Sequence, residues 1–428
     1  MRFAERRRSR RAGRPHVLLL VAQPSALGAA RLPRLLHDAG CRVTLFAVRD
    51  AVAARAGCLD QHIAAPVPRE EYFAALGAHL GREGVRYDWV LPATDADVRG
   101  LYVRRAEPWA ARCFPADPTS PDAEAVFSKA AFGRVMERLG VPVPRARIAD
   151  DPDTALAAAR EIGFPLILKP LAGSAGAGTT RVADEAELRR AFAGVAEHGS
   201  VLVQRYVEGM VGSVQVAFNR GEVRAWVSSY KLLTWPGPYS PSSCRLFRAI
   251  PALEPHLARI GAEFRLHGLM GLDFMEEAAT GEVSFLELNP RPGAIAHTCR
   301  VAGADVRGPI HDLASGAPGS GIVRQSRGNL VLPLFPQDLL RGFREADWLS
   351  LSRWLWTPDE WRDVPWREPR LLARHLLILA QNARWELGRA VLGTPLSAPT
   401  GRHPASPPSP SSGRTLPAGR SLRGSPGR

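Results

Sequence analysis

Chemistry is suggested most directly by residues 271–293, whose sequence is GLDFMEEAATGEVSFLELNPRPG. Apolar and polar residues alternate over 283–289, which predicts a β-strand, and a glycine turn joins it to an earlier strand that holds Asp273. Side chains of a strand alternate between its two faces, so Glu287 and Asn289 share one face, and Asp273 can point the same way. Two carboxylates and an amide oxygen are ligands of the kind that Mg²⁺ prefers, with room left for phosphate oxygens. The polar face of a solvated hairpin is the alternative explanation.

A glycine-rich loop, GSAGAGTT at residues 173–180, is the second candidate site. Small residues let backbone N–H groups approach phosphate oxygens, and the hydroxyl groups add further donors. The loop lacks the lysine of a Walker A sequence; instead, Lys169 ends the apolar strand 164–169 just before it. A flexible hairpin tip explains an isolated loop of this kind better, so the assignment depends on its partners elsewhere in the chain.

Lysine is rare in this chain. Only three of the 56 basic residues are lysines, namely Lys129, Lys169 and Lys231. Where a lysine remains against such a bias, the position can require a compact ammonium group that a planar guanidinium does not replace. Lys129 also lies in the first turn of the predicted helix 128–139, where a positive charge opposes the helix dipole. The three lysines are therefore candidate functional residues.

The elements that must position these residues begin with an α/β domain. Predicted strands cover residues 16–22, 41–48 and 89–92, and a predicted helix covers 26–39, which together indicate a parallel sheet. A G-x-G-x-x-G fingerprint is absent, so a dinucleotide site is not supported. Asp95 and Asp97 follow the third strand, where α/β sheets bind ligands, but helix capping explains both without a function.

A second unit follows a proline-marked linker at 115–121. Its predicted helices are 128–139, 154–162 and 253–267, and its predicted strands are 164–169, 200–204, 213–218, 223–229 and the hairpin that holds Glu287. A long polar loop at 230–243 contains Lys231, and Arg245 and Arg248 lie just beyond it. A mobile surface loop with solvated charges and a loop that binds an anionic substrate both fit this segment.

Composition argues against several classes of protein. The formal net charge is +14, but residues 1–14 and 396–428 carry +11 of it, and no basic stripe interleaved with aromatic residues suggests nucleic-acid binding. Five scattered cysteines without a C-x-x-C pair fit a reducing cytosol and neither a disulfide framework nor a zinc site. The apolar run 17–22 is too short for a secretory signal, and no run approaches a membrane span. We therefore expect a soluble, cytoplasmic protein.

In their order along residues 16–318, these motifs resemble an ATP-grasp enzyme. The pattern is most similar to carboxylate–amine ligases such as D-alanine–D-alanine ligase and to the ATP-grasp domains of carbamoyl-phosphate synthetase. The resemblance rests on Lys129, FPLILKP with its glycine loop, VQRYVEG, Asp273 and ELNPR, which follow the family order. It implies an α/β (α+β grasp) fold, in which a parallel N-terminal pre-ATP-grasp domain precedes a two-lobed ATP-grasp domain.

The resemblance also implies a set of site residues. ATP would be bound by Lys129, Lys169, Gly173, Ser174, Gly176, Gly178, Thr179, Gln204, Arg205, Tyr206, Val207 and Glu208, of which residues 204–207 form the adenine hinge. Two Mg²⁺ ions, which Mn²⁺ could replace, would be bound by Asp273, Glu287 and Asn289. Arg291 and Lys169 would be catalytic, and Lys231, Arg245 and Arg248 would face the substrate. Val211 stands where the family commonly has a ribose-binding glutamate, so either Glu208 takes over that contact or ribose recognition is weak.

The reaction implied by the resemblance begins with phosphorylation of a substrate carboxylate by ATP to give an acyl phosphate. An amine then couples to it, and ADP and phosphate are released. A grasp-fold small-molecule kinase and a non-catalytic ATP-binding regulatory protein are the alternatives. The expected partners are a small carboxylate and a small amine, and a homodimer stays open.

The predicted organisation has five parts. A disordered basic tail at 1–15 precedes the N-terminal domain at 16–118, the ATP-grasp domain at 119–318 with a small lobe at about 142–205, a C-terminal extension at 319–395 and a disordered tail at 396–428. The extension holds six of the ten tryptophans, and its residues 370–391 predict an amphipathic helix. The apolar face of that helix consists of Leu371, Leu372, Leu376, Leu379, Ala380 and Ala383. We expect this face to pack on the parent domain; a membrane surface or a partner is the alternative.

Overall fold

The computed structural model describes residues 13–67, 69–171, 178–197, 199–319 and 321–391, except for the side chains of 383–391. Most of both predicted tails, and Gly173, Ser174 and Gly176 of the glycine-rich loop, lie outside the described residues. Three sheets organise the described chain: one parallel, one antiparallel and one mostly antiparallel. The mixed α/β fold predicted from the sequence is confirmed.

The first sheet is parallel, with its four strands in the order β3-β2-β1-β4. The N-terminal domain built on this sheet consists of β1 (His16–Val21), α1 (Leu32–Asp38), β2 (Arg42–Val48), β3 (Gln61–Ala65), α2 (Arg69–Leu80), β4 (Trp89–Pro92), α3 (Asp95–Val103) and α4 (Pro108–Cys113). Every residue from Val17 to Val21 is buried, because alternate side chains of β1 enter two different hydrophobic cores. A strand buried on both faces shows a continuous apolar run in the sequence and no alternation.

The N-terminal domain differs from prediction in three details. The helix expected from residue 26 begins only at Leu32, after a single 3₁₀ turn at Ala29–Arg31. Strand β3 was not predicted, because it is a half-exposed edge strand with little apolar character. Arg14, assigned to the tail, donates hydrogen bonds to the carbonyl oxygens of Gly40 and Cys41 at 2.7 and 2.6 Å, so this arginine is tied to the folded domain.

The small lobe is built on an antiparallel sheet with the strand order β5-β8-β6-β7. Helix α5 (Lys129–Arg138) precedes it, and its elements are β5 (Ala146–Ala149), α6 (Pro152–Ile162), β6 (Leu166–Pro170), β7 (Thr180–Val182), α7 (Glu185–Ala196) and β8 (Val201–Arg205). The two helices and the sheet enclose a separate hydrophobic core. The lobe can therefore hold its shape independently of the larger sheet.

The largest sheet has seven strands, six of them in the order β13-β12-β9-β10-β11-β15, and β14 pairs with β10. Its elements are β9 (Gly209–Asn219), β10 (Glu222–Thr234), β11 (Ser242–Phe247), α8 (Leu253–Phe264), β12 (Gly268–Glu277), β13 (Val283–Asn289), α9 (Arg307–Ser315), β14 (Val323–Arg324) and β15 (Leu330–Pro333). The hairpin predicted around Glu287 is thus an outer pair of strands, and β12 packs edge to edge against β9.

The prediction of a polar loop at 230–243 is wrong. Strand β10 continues through Lys231 to Thr234, and β11 begins at Ser242, so only residues 235–241 connect the two strands. Lys231 and Arg245 are directly opposite each other in the paired strands. The sequence suggested a loop because serine, lysine and arginine line this part of the sheet, where a strand normally shows apolar residues.

The C-terminal extension contains α10 (Gln337–Arg344), α11 (Trp348–Trp356) and α12 (Pro369–Val391), of which α10 and α12 pack on the rest of the protein. From α12, Leu371 enters the core shared with the parallel sheet, and Leu379 joins a smaller core with Trp354. Leu376 and Ala380, assigned to the packed face of this helix, are instead exposed, Leu376 at 51%, and the side chain of Ala383 lies outside the described residues. Among the described residues, no helix is long and apolar enough to cross a bilayer.

A buried carboxylate ties the extension to the two units before it. Asp363 lies 2.8 Å from the guanidinium of Arg31 and 2.6 Å from Nε2 of His297, and it accepts a hydrogen bond from the backbone N–H of Phe335. Burial opposes the charged form of Asp363, but the Arg31 guanidinium, the contact with His297 and the hydrogen bond from Phe335 together outweigh it and lower the pKa to about 2. The N-terminal domain, the segment after β13 and the extension therefore meet at one charge.

Candidate active site

The predicted acidic ligands share one face of the large sheet. In the antiparallel pair β12–β13, Asp273 is directly opposite Glu287 and Gly271 is opposite Asn289. Directly opposite residues of an antiparallel pair point to the same face, so the three polar side chains lie together, as their spacing predicted. Gly271 has no side chain, which leaves room for the Gln215 amide next to it on β9.

Asp273 is destabilised as an anion in this position. Burial raises its pKa, and Lys231 acts in the opposite direction, while the neighbouring Glu287 raises the pKa further. Two carboxylates held this close repel each other unless cations lie between or beside them. The site therefore favours the binding of positive charge.

Two lysines from different elements reach the same carboxylates. Lys129 is the first residue of α5, after the capping residue Ser128, and its Nζ lies 3.5 Å from Oε2 of Glu287. Lys169 comes from β6 of the small lobe and is only 8% exposed. Burial lowers the pKa of Lys169 to about 8, and Glu287 offsets this effect only in part. The lysines thus join the helix, the small lobe and the large sheet at one place.

Arg291 is held by a residue of the N-terminal domain that sequence reasoning assigned to helix capping. The guanidinium donates two parallel hydrogen bonds to the carboxylate of Asp95, at 2.7 and 2.8 Å. Burial lowers the pKa of Arg291, but the bonds with Asp95 outweigh it and raise the pKa overall. Asp97, in contrast, is a capping residue as expected: it is fully buried, and its side chain accepts from the backbone N–H of Thr94.

Arg245 and Lys231 lie on the same sheet face as Asp273. Arg245 is 5% exposed, and its guanidinium donates to the hydroxyl oxygens of Ser213, Ser229 and Ser242 at 2.6, 2.9 and 2.9 Å. Within the described part of the chain it forms no ion pair, and burial lowers its pKa to about 10, against the attraction of Asp273. A buried cation surrounded by neutral donors and acceptors is a favourable place for an anion.

Arg248 does not belong to this group. It is exposed, and strand alternation directs it away from the face that holds Arg245. It lies near Tyr230, whose hydroxyl donates a hydrogen bond to Glu276. The structure thus brings together two of the three cations predicted to face a substrate.

The predicted hinge runs from β8 of the small lobe into β9 of the large sheet and contacts the end of β12. Gln204 is buried in β8, Arg205 pairs with Glu277, and the backbone oxygen of Glu208 accepts from the N–H of Ala278 at 2.8 Å. The guanidinium of Arg181 lies over the Tyr206 ring, 4.8 Å from its centre.

The side chains of the residues that follow Tyr206 differ in exposure. Val207 is buried, Glu208 is exposed, and Val211 lies within β9 opposite Met275. Of the glycine-rich loop, Gly178 has a positive φ of 73° and Thr179 leads into β7.

The acidic face offers oxygen ligands of the kind that a hard metal ion takes. Nowhere in the described ranges do three or more His, Cys, Asp or Glu side chains converge in a way that could hold an ion by themselves. Asp273, Glu287 and the amide of Asn289 supply three oxygen-bearing side chains, and Mg²⁺ usually keeps waters and takes substrate phosphates at its other positions. The residues therefore fit an ion that arrives with a phosphate ligand.

Residues 126–295 match the family model of the ATP-grasp domain. This segment of the chain is therefore similar to the ATP-grasp domain, and the resemblance predicted from its ordered motifs is confirmed. The matched range runs from the helix that carries Lys129 through the hairpin and Arg291.

Two relatives and one solved structure place this result in context. Over 170 residues the chain is 32% identical to the carbamoyl phosphate synthase large chain of Thermus thermophilus, covering 38% of this chain and 16% of that protein. Over 188 residues it is 31% identical to the D-alanine–D-alanine ligase of Stutzerimonas stutzeri, covering 40% of this chain and 59% of the ligase. The chain thus spans only part of either relative. The biotin carboxylase of Campylobacter jejuni shares the fold, with a TM-score of 0.56 at 19% identity over 74% of this chain and 73% of the carboxylase.

Asp95→Asn tests whether the N-terminal domain positions Arg291. We expect ATP-dependent turnover to fall at least about tenfold, because the amide cannot hold the guanidinium in the same two-bonded geometry. The melting temperature should change little, since a partly exposed ion pair contributes about 0–1 kcal/mol. Asp97→Asn is the matched control: unlike Asp95, Asp97 is fully buried and hydrogen-bonded within its own domain, so its replacement should clearly lower the melting temperature. A normal turnover in Asp95→Asn would show that Arg291 needs no such partner.

Proposed function

We propose that this protein is an ATP-dependent ligase that joins a carboxylate to an amine. The observation that supports this proposal most is the meeting of Asp273 and Glu287 with Lys129 and Lys169 on one face of the sheet, within an ATP-grasp domain. Acidic oxygens beside two cations suit a nucleotide whose phosphates carry a metal ion. One matched relative is named for joining D-alanine to D-alanine.

In this proposal, Lys129 and Lys169 bind the phosphates of ATP. The lowered pKa of Lys169 identifies a buried cation whose carboxylate neighbours do not fully offset its burial, and phosphate oxygens would complete its environment. Asp273, Glu287 and Asn289 hold Mg²⁺. When bound, the ion supplies neutralisation of charge that develops on the phosphates.

The proposed reaction has two steps. The γ-phosphoryl group passes from ATP to a carboxylate oxygen of the substrate, which gives ADP and an acyl phosphate. The amine then attacks the acyl carbon, the carbon–nitrogen bond forms, and phosphate leaves with the electron pair of the broken carbon–oxygen bond. Arg291, held by Asp95, donates to the transferred group, so the chain contributes mainly positioning and electrostatic stabilisation.

Arg245 and Lys231 extend the proposal to the substrate. Both lie beside Asp273 on the sheet face, and Arg245 is buried with hydroxyl partners and no ion pair in the described chain. We infer a carboxylate substrate with more than one anionic group, one of which takes the place of the missing counter-ion. An anionic group bound next to the Arg245 guanidinium offsets part of the free-energy cost of burying that charge.

Release of ADP and phosphate by the purified protein tests the ligase assignment. Both products should form only when a carboxylate and an amine are present together. A kinase would form ADP with a single acceptor and no free phosphate, and a regulatory protein would bind ATP without turnover. Glu287→Gln should abolish turnover and leave the melting temperature unchanged, whereas Glu282→Gln, an exposed residue of the same hairpin, should have no effect. Near-normal turnover of Glu287→Gln at saturating Mg²⁺ would contradict the metal assignment.

Proton uptake tests the role of Lys169. At pH 8 a lysine with a pKa of about 8 is protonated in about half of the molecules, and nearby phosphates should raise that pKa. Binding of ATP should therefore take up about half a proton at pH 8 and almost none near pH 6.5, as calorimetry in buffers of different ionisation enthalpy would measure. Lys169→Met should abolish the pH-8 uptake, and an unchanged uptake would remove Lys169 from the phosphate site.

The substrate side is tested by a matched pair of variants. Once a substrate is identified, Lys231→Met should raise KM for the carboxylate about tenfold or more, because a charge-assisted bond contributes about 1.5–3 kcal/mol. KM for ATP should hardly change. Arg248→Met removes a cation from the opposite side of the same pair of strands and should leave both KM values unchanged. Equal weakening toward both substrates in Lys231→Met would contradict a substrate role.

A further inference from the structure

Helix α11 presents an apolar stripe to the outside of the protein, formed by one apolar pair at each end of the helix with Ser352 between the two pairs. Trp348, Leu349, Leu355 and Trp356 are 71%, 71%, 71% and 81% exposed. They lie at positions i, i+1, i+7 and i+8, which share one side of an α-helix. Scattered exposed apolar residues are normal in proteins, but two tryptophans and two leucines on one face form a surface that favours removal from water.

The orientation of this stripe is fixed by the opposite side of the helix. Trp354 is buried; its indole N–H donates to Asp338 at 3.1 Å, and its ring lies 6.1 Å from that of Phe335. Asp347 caps the helix by accepting from the backbone N–H of Ser350. Because Trp354 anchors α11 on the extension, the apolar stripe cannot turn inward without breaking these contacts.

We propose that this stripe binds the surface of an anionic lipid bilayer. Tryptophan is well suited to the boundary between head groups and acyl chains, because its ring is apolar and its N–H can stay hydrated. A helix of nine residues is about 13 Å long, far too short to cross a bilayer, so it would lie in the plane of the membrane surface. The described chain likewise contains no helix that could span a membrane.

Charge favours a lipid surface over a second copy of the chain. The protein carries a formal net charge of +14, so two copies repel each other, whereas an anionic surface attracts each copy. The charge is concentrated at the two ends, and residues 392–428 contain five arginines and no acidic residue. Stable attachment to a membrane usually requires two signals, such as an inserted apolar group together with a basic segment. The sequence and α11 together supply both.

The test is co-sedimentation of the full chain with vesicles, in the absence of ATP. We expect binding to vesicles of phosphatidylcholine mixed with phosphatidylglycerol, and weaker binding to phosphatidylcholine alone. Replacing Trp348, Leu349, Leu355 and Trp356 together by serine should weaken binding to the mixed vesicles at least about tenfold. Val103→Ser, at a residue that is 73% exposed in the N-terminal domain, is the matched control and should bind as the unmodified protein does.

Two further measurements separate this proposal from its competitors. Brominated phosphatidylcholine should quench part of the tryptophan fluorescence, and Trp348→Phe with Trp356→Phe should remove that part. Deleting residues 392–428 should weaken binding to the mixed vesicles and reduce its salt dependence, but leave the quenching in place. Absence of vesicle binding by the full chain would overturn the proposal. So would binding that is unaffected by the serine variant, or a dimer in size-exclusion chromatography that the serine variant dissociates while vesicles bind neither protein.

Discussion

The hydrogen-bonded register between β12 and β13 determines whether this chain has a site at all. With Asp273 opposite Glu287, the two carboxylates and Asn289 share a face, and a shift of one residue would move the side chains of one strand to the other face. The register is held on both sides, because β12 also pairs with β9 over its whole length. The ladder between β12 and β9 is continuous, whereas the ladder between β12 and β13 has an irregularity between Asp273 and Phe274. The pairing with β9 therefore holds β12 in place next to this irregularity.

The same face concentrates charges that burial alone would not tolerate. Burial raises the pKa of Asp273 and lowers those of Lys169 and Arg245, so in each case the neutral form gains at the expense of the charged one. Their mutual attraction offsets part of this cost but does not remove it. Structural polar networks usually satisfy their charges internally, whereas sites that await a charged ligand keep an imbalance. The incomplete pairing of the buried charges Asp273, Lys169 and Arg245 is therefore a stronger indication of a ligand site than the presence of charged residues alone.

The sequence predicted what local pattern determines and missed what long-range packing determines. Alternation over 283–289 was sufficient for the hairpin and its acidic face, and the scarcity of lysine marked Lys129 and Lys169. The strand at Lys231 was not predicted, because hydroxyl groups line its sheet face and accept hydrogen bonds from the buried guanidinium of Arg245. The sequence of this strand therefore lacks the alternation of apolar and polar residues that indicates a strand. The partner of Arg291 was beyond local reasoning, since Asp95 lies 196 residues earlier in the chain. The site roles themselves stay predictions.

The C-terminal extension relates the outer surface of the protein to its site through a small number of contacts. Its Asp363 joins Arg31 of the N-terminal domain to His297, which lies six residues after Arg291 in the same segment. On its outer side, Trp354 fixes the helix whose opposite face is apolar and exposed. Removal of the extension would therefore release a buried arginine and histidine from their shared carboxylate near the segment that carries Arg291. The extension is for that reason a structural part of the site, and its strand β15 also borders the charged face, where Leu332 lies opposite Arg245.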